Sequence, residues 1–213
     1  MLSCTMQRSR PLFSVVICTW NRAHLLPRAL NSLLTQTWSD WEAIVVDDAG
    51  TDSTSVVVQN YMERDPRLLY HRVAQQGGTA AARNTGILLT SGDWVTFLDS
   101  DDEYLPSHLE KRMHLITDIP GADLFHGGFT VIGNPYVRDK DNPGVSIHLD
   151  SCVVGGTFVI RRDVFRRVGL FPRIPYADDA EFFERCRSHG LIIERCTAAT
   201  YVYHRDTPGQ LTG

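Results

Sequence analysis

Residues 13–46 read FSVVICTWNRAHLLPRALNSLLTQTWSDWEAIVV, and this stretch decides the fold class. Its first part, Phe13–Cys18, is a short apolar, β-branched run, which is typical of a strand buried on both faces. Leucine and alanine then recur at helical spacing across Arg22–Gln36. Glu42–Val46 is apolar again and predicts a second strand. The order indicates a β-α-β unit, in which the crossover is right-handed and the two strands are parallel.

The same alternation continues through the first half of the chain. The further predicted segments are helices at Ser53–Met62 and Thr79–Leu89, strands at Leu68–Arg72 and Trp94–Leu98, and a helix from about Pro106. Repeated units of this kind predict a single-domain α/β fold of Rossmann type. Its central sheet should be mainly parallel, with helices on both faces. Ligands of such sheets bind at the carboxyl ends of the strands.

The second half of the chain carries weaker patterns. Phe125–Pro143 is rich in Gly, Asn, Asp and Pro, which predicts a loop or an irregular hairpin. The remaining predictions are strands at Gly156–Arg161, Leu191–Arg195 and Thr200–His204, and helices at Arg162–Val168 and Asp179–His189. We expect a loose leader at residues 1–10 and one domain over 11–213. Within that domain we assign 11–104 to nucleotide binding and 105–213 to acceptor binding.

The composition narrows the function classes. Of the 213 residues, 43% are hydrophobic and 22% are charged, which is usual for a globular fold with a core. A net charge of -4 gives no basic field for a nucleic-acid partner. No apolar run reaches the roughly 18–20 residues that a transmembrane helix needs. The odd number of cysteines, 5, without a C-x-x-C pair favours a reduced, cytoplasmic setting, and peripheral membrane attachment stays open.

A cluster of carboxylates, Asp99-Ser100-Asp101-Asp102, follows the strand WVTFL directly. Three carboxylates this close repel one another unless a cation or hydrogen-bond donors neutralise them. Oxygen ligands of this type suit Mg²⁺ or Mn²⁺, which also bind substrate phosphates. The alternative is that these aspartates cap the next helix and remain solvated.

Two other polar segments end strands on the same edge of the predicted sheet. Thr19-Trp20-Asn21-Arg22 follows the first strand, and Asp48 follows the second. An aspartate accepts hydrogen bonds from a base or ribose, and an arginine neutralises a diphosphate. As alternatives, Asp48 caps the following turn and Asn21 caps the first helix. Trp20 either stacks on a base or packs in the core.

A glycine-rich segment, GGTAAARNTG, places Arg83 in the middle of an alanine-rich helix. The alternative is a tightly packed helix with one surface arginine. Taken in order, FSVVICTWNR, LNSLLTQTWSDWEAIVVDDAGTDST, GGTAAARNTG and GDWVTFLDSDD resemble glycosyltransferase family 2. That family has the A-type nucleotide-diphospho-sugar transferase (GT-A) fold. Asp178-Asp179 is similar to the acidic pair of the family, which is usually Glu-Asp, so position 178 departs from the pattern.

The resemblance implies a role for particular residues. The implied nucleotide-sugar contacts are Thr19, Arg22, Asp48, Arg83, Asp99 and Ser100. The implied ligands of a divalent metal, Mn²⁺ or Mg²⁺, are Asp101 first, with Asp102 nearby and His204 as an additional contact. Asp179 matches the general base, and its alternative role is to cap the helix that it begins.

These assignments imply an inverting, metal-assisted glycosyltransferase that moves a sugar from a nucleotide-diphosphate sugar to an acceptor hydroxyl. A uridine diphosphate sugar is the first donor to expect. The acceptor would be a glycan, a lipid-linked sugar or a small molecule. One alternative is a non-catalytic nucleotide-sugar-binding protein. A further alternative is a nucleotidyltransferase, which would release pyrophosphate instead of a nucleoside diphosphate.

Overall fold

The computed structural model describes residues 11–142 and 144–206, and a seven-stranded sheet forms its centre. In spatial order the strands are β11 (Ile193–Arg195), β6 (Leu124–His126), β10 (Val159–Arg161), β4 (Trp94–Phe97), β1 (Phe13–Thr19), β2 (Trp41–Asp47) and β3 (Leu68–Arg72). Strand β10 is antiparallel to both of its neighbours, and the other adjacent pairs are parallel. The prediction of a mainly parallel sheet is therefore confirmed.

Helices cover both faces of this sheet. They are α1 (Leu26–Leu34), α2 (Thr54–Met62), α3 (Thr79–Leu89), α4 (His108–Asp118), α5 (Val164–Val168) and α6 (Asp178–Ser188). Successive residues of β1 point to opposite faces, as the pleat of a strand requires. Val15 packs in a core cluster with apolar residues of α1, α2 and α4, whereas Val16 packs in one with α3, α5 and α6. The α/β class with two covered faces is confirmed.

Two smaller sheets lie beside the central one. The first contains β5 (Glu103–Tyr104), β12 (Tyr201–Arg205) and β7 (Phe129–Gly133), in that order. The second pairs β8 (Tyr136–Arg138) with β9 (Ser146–His148). Strand β12 is antiparallel to β5, with Tyr201 opposite Tyr104. This pairing brings the end of the described chain next to the acidic segment that precedes β5.

The prediction of a loop or irregular hairpin over Phe125–Pro143 is wrong for most of its length. The segment contains the end of β6 and the whole of β7 and β8, while Pro143 itself lies outside the described residues. The reason is that β7 pairs in parallel with β12, with Phe129 opposite Tyr201. A distant partner strand thus overrides a local composition rich in Gly and Asn, because strand formation depends on tertiary context.

The first helix begins later than its periodicity predicts. It starts at Leu26, and the carbonyl of Arg22 accepts hydrogen bonds from the backbone N–H groups of Leu25 and Leu26, at 3.0 and 3.1 Å. Pro27 lies in the first turn of α1, where its missing N–H costs no helical bond. Arg22 therefore belongs to the loop after β1. The expected leader, residues 1–10, lies outside the described residues, as do residues 207–213.

Candidate functional site

The loops of the candidate site hold three non-glycine residues with positive φ. These are Asn21 (φ 53°) after β1, Ala49 (φ 60°) after β2 and Ala177 (φ 58°) before α6. A residue in the left-handed region costs of order 1–3 kcal/mol and persists only where the surrounding structure holds it. The conformation of Asn21 is held by a hydrogen bond, in which its side-chain oxygen accepts from the backbone N–H of Thr51 at 2.7 Å. It joins two loops and does not cap α1.

Asp48 connects the end of β2 to the start of α3. Its two carboxylate oxygens accept hydrogen bonds from the backbone N–H groups of Gly77 and Gly78, at 2.9 and 2.8 Å. The neighbouring Asp47 makes the turn contact instead, to the N–H of Gly50 at 2.8 Å. A cavity of about 280 Å³ lies beside Asp48, and Arg173 lines it as well. Asp48 is therefore an anchored carboxylate at the border of a cavity.

The acidic residues after β4 have separate surroundings. Asp101 is 6% exposed, and its carboxylate accepts a hydrogen bond from Nη1 of Arg22 at 2.8 Å. Its backbone carbonyl accepts another from Nη1 of Arg28 at 2.7 Å. Ser100, the residue before it, is buried. Helix α4 begins at His108, so none of these aspartates caps it. The alternative of solvated capping residues does not describe this loop.

Asp102 is fully buried, and both of its oxygens have donors on β12. The hydroxyl of Tyr201 donates at 2.6 Å, and the backbone N–H of His204 donates at 2.8 Å. Burial raises the pKa of Asp102 well above its usual range. The imidazole of His204 contacts the Glu103 carboxylate, with Nε2 and Oε1 3.0 Å apart. Asp102 and His204 are thus joined to each other at the base of the acidic loop.

Asp99 begins the acidic loop and interacts electrostatically with charged residues of α3 and α6. Burial, together with the charges of Asp101 and Asp179, raises the pKa of Asp99 to about 6 against the opposing charge of Arg83. Asp99 is therefore within electrostatic reach of both aspartates. Sequence positions far apart converge here, because the carboxyl ends of parallel strands and the start of α6 meet at one edge of the sheet.

Arg83 is a buried residue of α3, with 5% of its surface exposed. Its Nη1 forms an ion pair with the Asp178 carboxylate at 2.8 Å. Its guanidinium lies over the rings of Phe97 and Phe171, at 5.4 and 4.9 Å from the centroids. Burial lowers the pKa of Arg83, and the carboxylates of Asp178 and Asp99 raise it by more. It is not a surface arginine.

The thiol of Cys18, near the end of β1, is affected by charged residues from several loops. Burial, together with the charges of Asp99 and Asp48, raises its pKa to about 12 against the opposing charge of Arg83. Charges from the β2 loop, α3 and the β4 loop therefore all act on a thiol near the end of β1. Thr19 lies next along this strand, 3% exposed, and its hydroxyl has no hydrogen-bond partner within residues 11–142 and 144–206.

Asp179 is held by backbone groups near Arg83. Its Oδ2 accepts a hydrogen bond from the N–H of Gly155 at 2.9 Å, and its Oδ1 accepts one from the N–H of Ala180 at 2.8 Å. The residue in the N-cap position of α6 is Ala177, so Asp179 is not the cap. Burial raises the pKa of Asp179 against the opposing effect of Arg83. A raised pKa makes this carboxylate a stronger base than an exposed aspartate.

Two residues of the candidate site, Gly155 and Tyr201, are not predicted from the sequence. Gly155, whose N–H holds Asp179, belongs to a buried 3₁₀ turn, Gly155–Thr157, before β10. Tyr201, which holds Asp102, lies in β12. The only local signal was the glycine pair in VVGGTF, and Tyr201 had none.

Comparison with known proteins gives the family. The model of the family described as Glycosyl transferase family 2 matches residues 14–169, which is more than half of the chain. The chain therefore belongs to glycosyltransferase family 2, as its motifs indicated.

Two curated relatives illustrate the sequence similarity. The putative colanic acid biosynthesis glycosyl transferase WcaA of Escherichia coli K12 is 39% identical over 142 residues, which cover 64% of this chain and 49% of the relative. The UDP-Glc:alpha-D-GlcNAc-diphosphoundecaprenol beta-1,3-glucosyltransferase WfgD of Escherichia coli is 31% identical over 129 residues, 61% of this chain and 50% of the relative. The chain spans about half the length of these curated relatives.

Solved structures show the same fold. Staphylococcus aureus TarS 1-349 in complex with UDP-GlcNAc superposes with a TM-score of 0.78 at 23% identity, covering 93% of this chain and 60% of TarS. The mannosyltransferase PcManGT from Pyrobaculum calidifontis, in complex with GDP-Man and Mn²⁺, gives 0.75 at 23% identity, covering 95% and 59%. The GT-A fold is therefore confirmed. In the part of the chain that the structure describes, no helix is long and apolar enough to cross a membrane.

Proposed function

We propose that this chain transfers a sugar from a nucleotide-diphosphate sugar to an acceptor hydroxyl with inversion at the anomeric carbon. The observation that carries the proposal is the 2.8 Å ion pair between Arg83 and Asp178, which holds a buried arginine beside the acidic pair of α6. In this proposal, carboxylates suited to a cation, an arginine suited to a diphosphate and a candidate base belong to one site. Family membership and the WfgD relative, named for a UDP-Glc donor, support the same reaction class.

The nucleotide contacts follow from groups with remaining hydrogen-bonding capacity. The buried hydroxyl of Thr19 would gain a partner from a bound nucleotide, which relieves the cost of an unpaired polar group. Each oxygen of Asp48 accepts one N–H and has a second lone pair for a base or ribose donor. Ser100 would supply a further hydroxyl. The cavity beside Asp48 supports a nucleotide contact at that residue.

A divalent metal fits the carboxylates after β4. Within residues 11–142 and 144–206, no group of three His, Cys, Asp or Glu side chains could by itself hold a metal ion. Mg²⁺ commonly takes only one or two protein carboxylates and completes its shell with water and substrate phosphates. Asp101 would hold Mn²⁺ or Mg²⁺, with Asp99 beside it. When bound, the metal would neutralise charge on the diphosphate leaving group.

The other expected ligands have structural partners. Both oxygens of Asp102 already accept bonds from β12, and the Nε2 of His204 lies against Glu103. We propose that Asp102 fixes the loop that presents Asp101. We propose that His204 belongs to this support, since its Nε2 lies 3.0 Å from Oε1 of Glu103 and its Nδ1 lies 3.4 Å from Oδ1 of Asp206.

The chemical step uses Arg83 and Asp179. The acceptor oxygen attacks the anomeric carbon while the bond from that carbon to the diphosphate oxygen breaks, and the hydroxyl proton passes to the Asp179 carboxylate. Arg83 and Arg22 stabilise the negative charge that grows on the departing diphosphate. The raised pKa of Asp179 suits it to accept this proton. A single displacement inverts the anomeric configuration.

Partners and location complete the proposal. A UDP-sugar is the first donor to test, followed by GDP-mannose, because solved structures of this fold carry UDP-GlcNAc and GDP-Man. Relatives named for colanic acid and teichuronic acid biosynthesis favour a glycan or lipid-linked acceptor over a small molecule. The free thiols of Cys18, Cys152, Cys186 and Cys196 support a cytoplasmic location.

The test is to identify the nucleotide product. The protein is incubated with Mn²⁺, UDP-glucose, UDP-GlcNAc or GDP-mannose, and a panel of p-nitrophenyl glycosides as acceptors. We expect a nucleoside diphosphate and an elongated glycoside of inverted configuration. Pyrophosphate release would instead identify a nucleotidyltransferase. Donor binding without product across longer acceptors, lipid-linked sugars included, would identify a non-catalytic nucleotide-sugar-binding protein.

A further inference from the structure

The hydroxyl of Tyr201 joins the first and last aspartates of the acidic loop. It donates a hydrogen bond to Oδ2 of Asp102 at 2.6 Å and accepts one from the backbone N–H of Asp99 at 3.3 Å. The other oxygen of Asp102 accepts from the backbone N–H of His204, on the same strand as Tyr201. Asp101 lies between these fixed points, so β12 contributes to its position along with Arg22 and Arg28, which bond to it directly.

The same hydroxyl lies against the glycine turn that precedes β10. A Cβ atom on Gly156 would lie 2.4 Å from the Tyr201 oxygen and 2.8 Å from its ring carbon Cζ. No real Cβ fits at such distances, so Gly156 is required for the ring to sit where it does. The adjacent Gly155 donates its N–H to Asp179, and a Cβ there would lie 2.8 Å from the Asp179 Cβ. Of these two consecutive glycines, Gly155 contacts Asp179 and Gly156 contacts Tyr201.

We propose that Tyr201 is a positioning residue of the transfer site: with Gly156 it sets the place of the Asp99–Asp102 loop relative to Asp179. The proposal rests on the function proposed above. The turn suits this task because it is fully packed. Gly155, Gly156 and Thr157 are all buried, and the hydroxyl of Thr157 accepts a hydrogen bond from the N–H of Gly127 at 2.9 Å. A displacement of Tyr201 would therefore move the acidic loop and leave the turn in place.

The test compares Tyr201→Phe with Tyr104→Phe. Both tyrosines are buried, and their rings meet edge to face with centroids 5.7 Å apart. The hydroxyl of Tyr104 bonds the carbonyl of Phe97 and the hydroxyl of Thr96, and it touches no aspartate of the loop. The control therefore loses a buried hydroxyl of the same kind without the contact in question.

The readout is the affinity for UDP, measured by isothermal titration calorimetry with and without Mn²⁺. Because the metal would be held by Asp101, Tyr201→Phe should lower the Mn²⁺-dependent gain in UDP affinity by about tenfold, the upper end of what one lost hydrogen bond contributes. UDP affinity without metal should stay within about twofold. Tyr104→Phe should keep the gain even where its melting temperature falls as much. An equal gain in both variants and the wild type would overturn the proposal.

Glycine variants provide an independent arm. Gly156→Ala should act like Tyr201→Phe, because its Cβ displaces the hydroxyl, and it carries the test if Tyr201→Phe does not fold. Gly155→Ala should keep the metal-dependent gain and lose turnover, because it displaces Asp179 only. A Gly156→Ala protein that keeps the full gain would also overturn the proposal. A wild-type protein that binds neither UDP nor GDP would overturn the proposed function itself, whereas normal wild-type binding with unaffected variants rejects only the role of Tyr201.

Discussion

Replacing Asp178 with asparagine removes the charge partner of a buried arginine. Arg83 and Asp178 are 2.8 Å apart, and their side chains are only 7% and 19% exposed. Solvent therefore screens the ion pair between Arg83 and Asp178 only weakly. Removing one partner of a buried pair typically costs about 3–5 kcal/mol, because the remaining charge loses its compensation. Since Asp178 keeps some access to water and Asn can still accept a hydrogen bond, we expect about 3 kcal/mol.

At about 2–4 °C per kcal/mol for a chain of this size, the melting temperature of Asp178→Asn should fall by about 6–12 °C. The matched control is Glu181→Gln, on the same helix. Glu181 pairs with Arg185 at 3.1 Å, but its side chain is 43% exposed, and an exposed i,i+4 pair is worth about 0.3–0.5 kcal/mol. Differential scanning calorimetry of both variants makes the comparison. Equal, small shifts would refute the account of Arg83 as a buried charge that depends on Asp178.

Three further predictions address packing, proton transfer and the metal. A Cβ on Gly86 would lie 2.3 Å from Cγ1 of Val16, so overpacking in Gly86→Ala should lower the free energy of unfolding in urea by about 1–3 kcal/mol. In the control Gly121→Ala the new Cβ meets only Ile192, at 3.8 Å, and the stability should change little. Equal stabilities of the two variants would contradict the packing of α3 on β1. Burial raises the pKa of Asp179, and the base acts in its ionised form, so kcat/KM should fall as the pH drops through a pKa above the ordinary aspartate value of about 3.9. A kcat/KM profile that stays flat down to about pH 4, with an unchanged circular dichroism spectrum, would argue against Asp179 as the base. In Asp101→Asn, titration calorimetry should find that Mn²⁺ no longer strengthens UDP binding, and transfer that resists EDTA in the wild type would rule out the metal assignment.

The parts of the fold that the sequence predicts are those with local causes. The strands at Phe13–Thr19 and Trp41–Asp47 are apolar on both faces because both faces of the sheet are covered. The Phe129–Gly133 strand could not be predicted in this way. Its exposed, glycine-flanked sequence forms a strand because it pairs with Tyr201–Arg205, and that partner is remote along the chain.

In the candidate site too, features with local causes could be predicted and contacts between remote segments could not. Asp99 and Asp101 could be placed near Asp48, because the carboxyl ends of neighbouring parallel strands share an edge. The pairing of Arg83 with Asp178 and of Asp102 with Tyr201 could not, because each joins elements about a hundred residues apart with no local pattern. The position of Asp102 in the motif predicts a metal ligand, and its burial and its two donors on β12 are the observations behind the supporting role that we propose for it.

The most direct measurement compares donor binding and turnover in Asp179→Asn, with Glu181→Gln as the control of equal charge change. If an acidic residue of α6 serves the same cleft as the donor, Asp179→Asn should bind UDP-sugar with unchanged affinity and transfer the sugar about 100-fold more slowly or worse. Its melting temperature at neutral pH should change little, because the substitution removes a charge that burial disfavours but leaves one of the two backbone N–H donors without an acceptor. Wild-type turnover in Asp179→Asn would contradict the account.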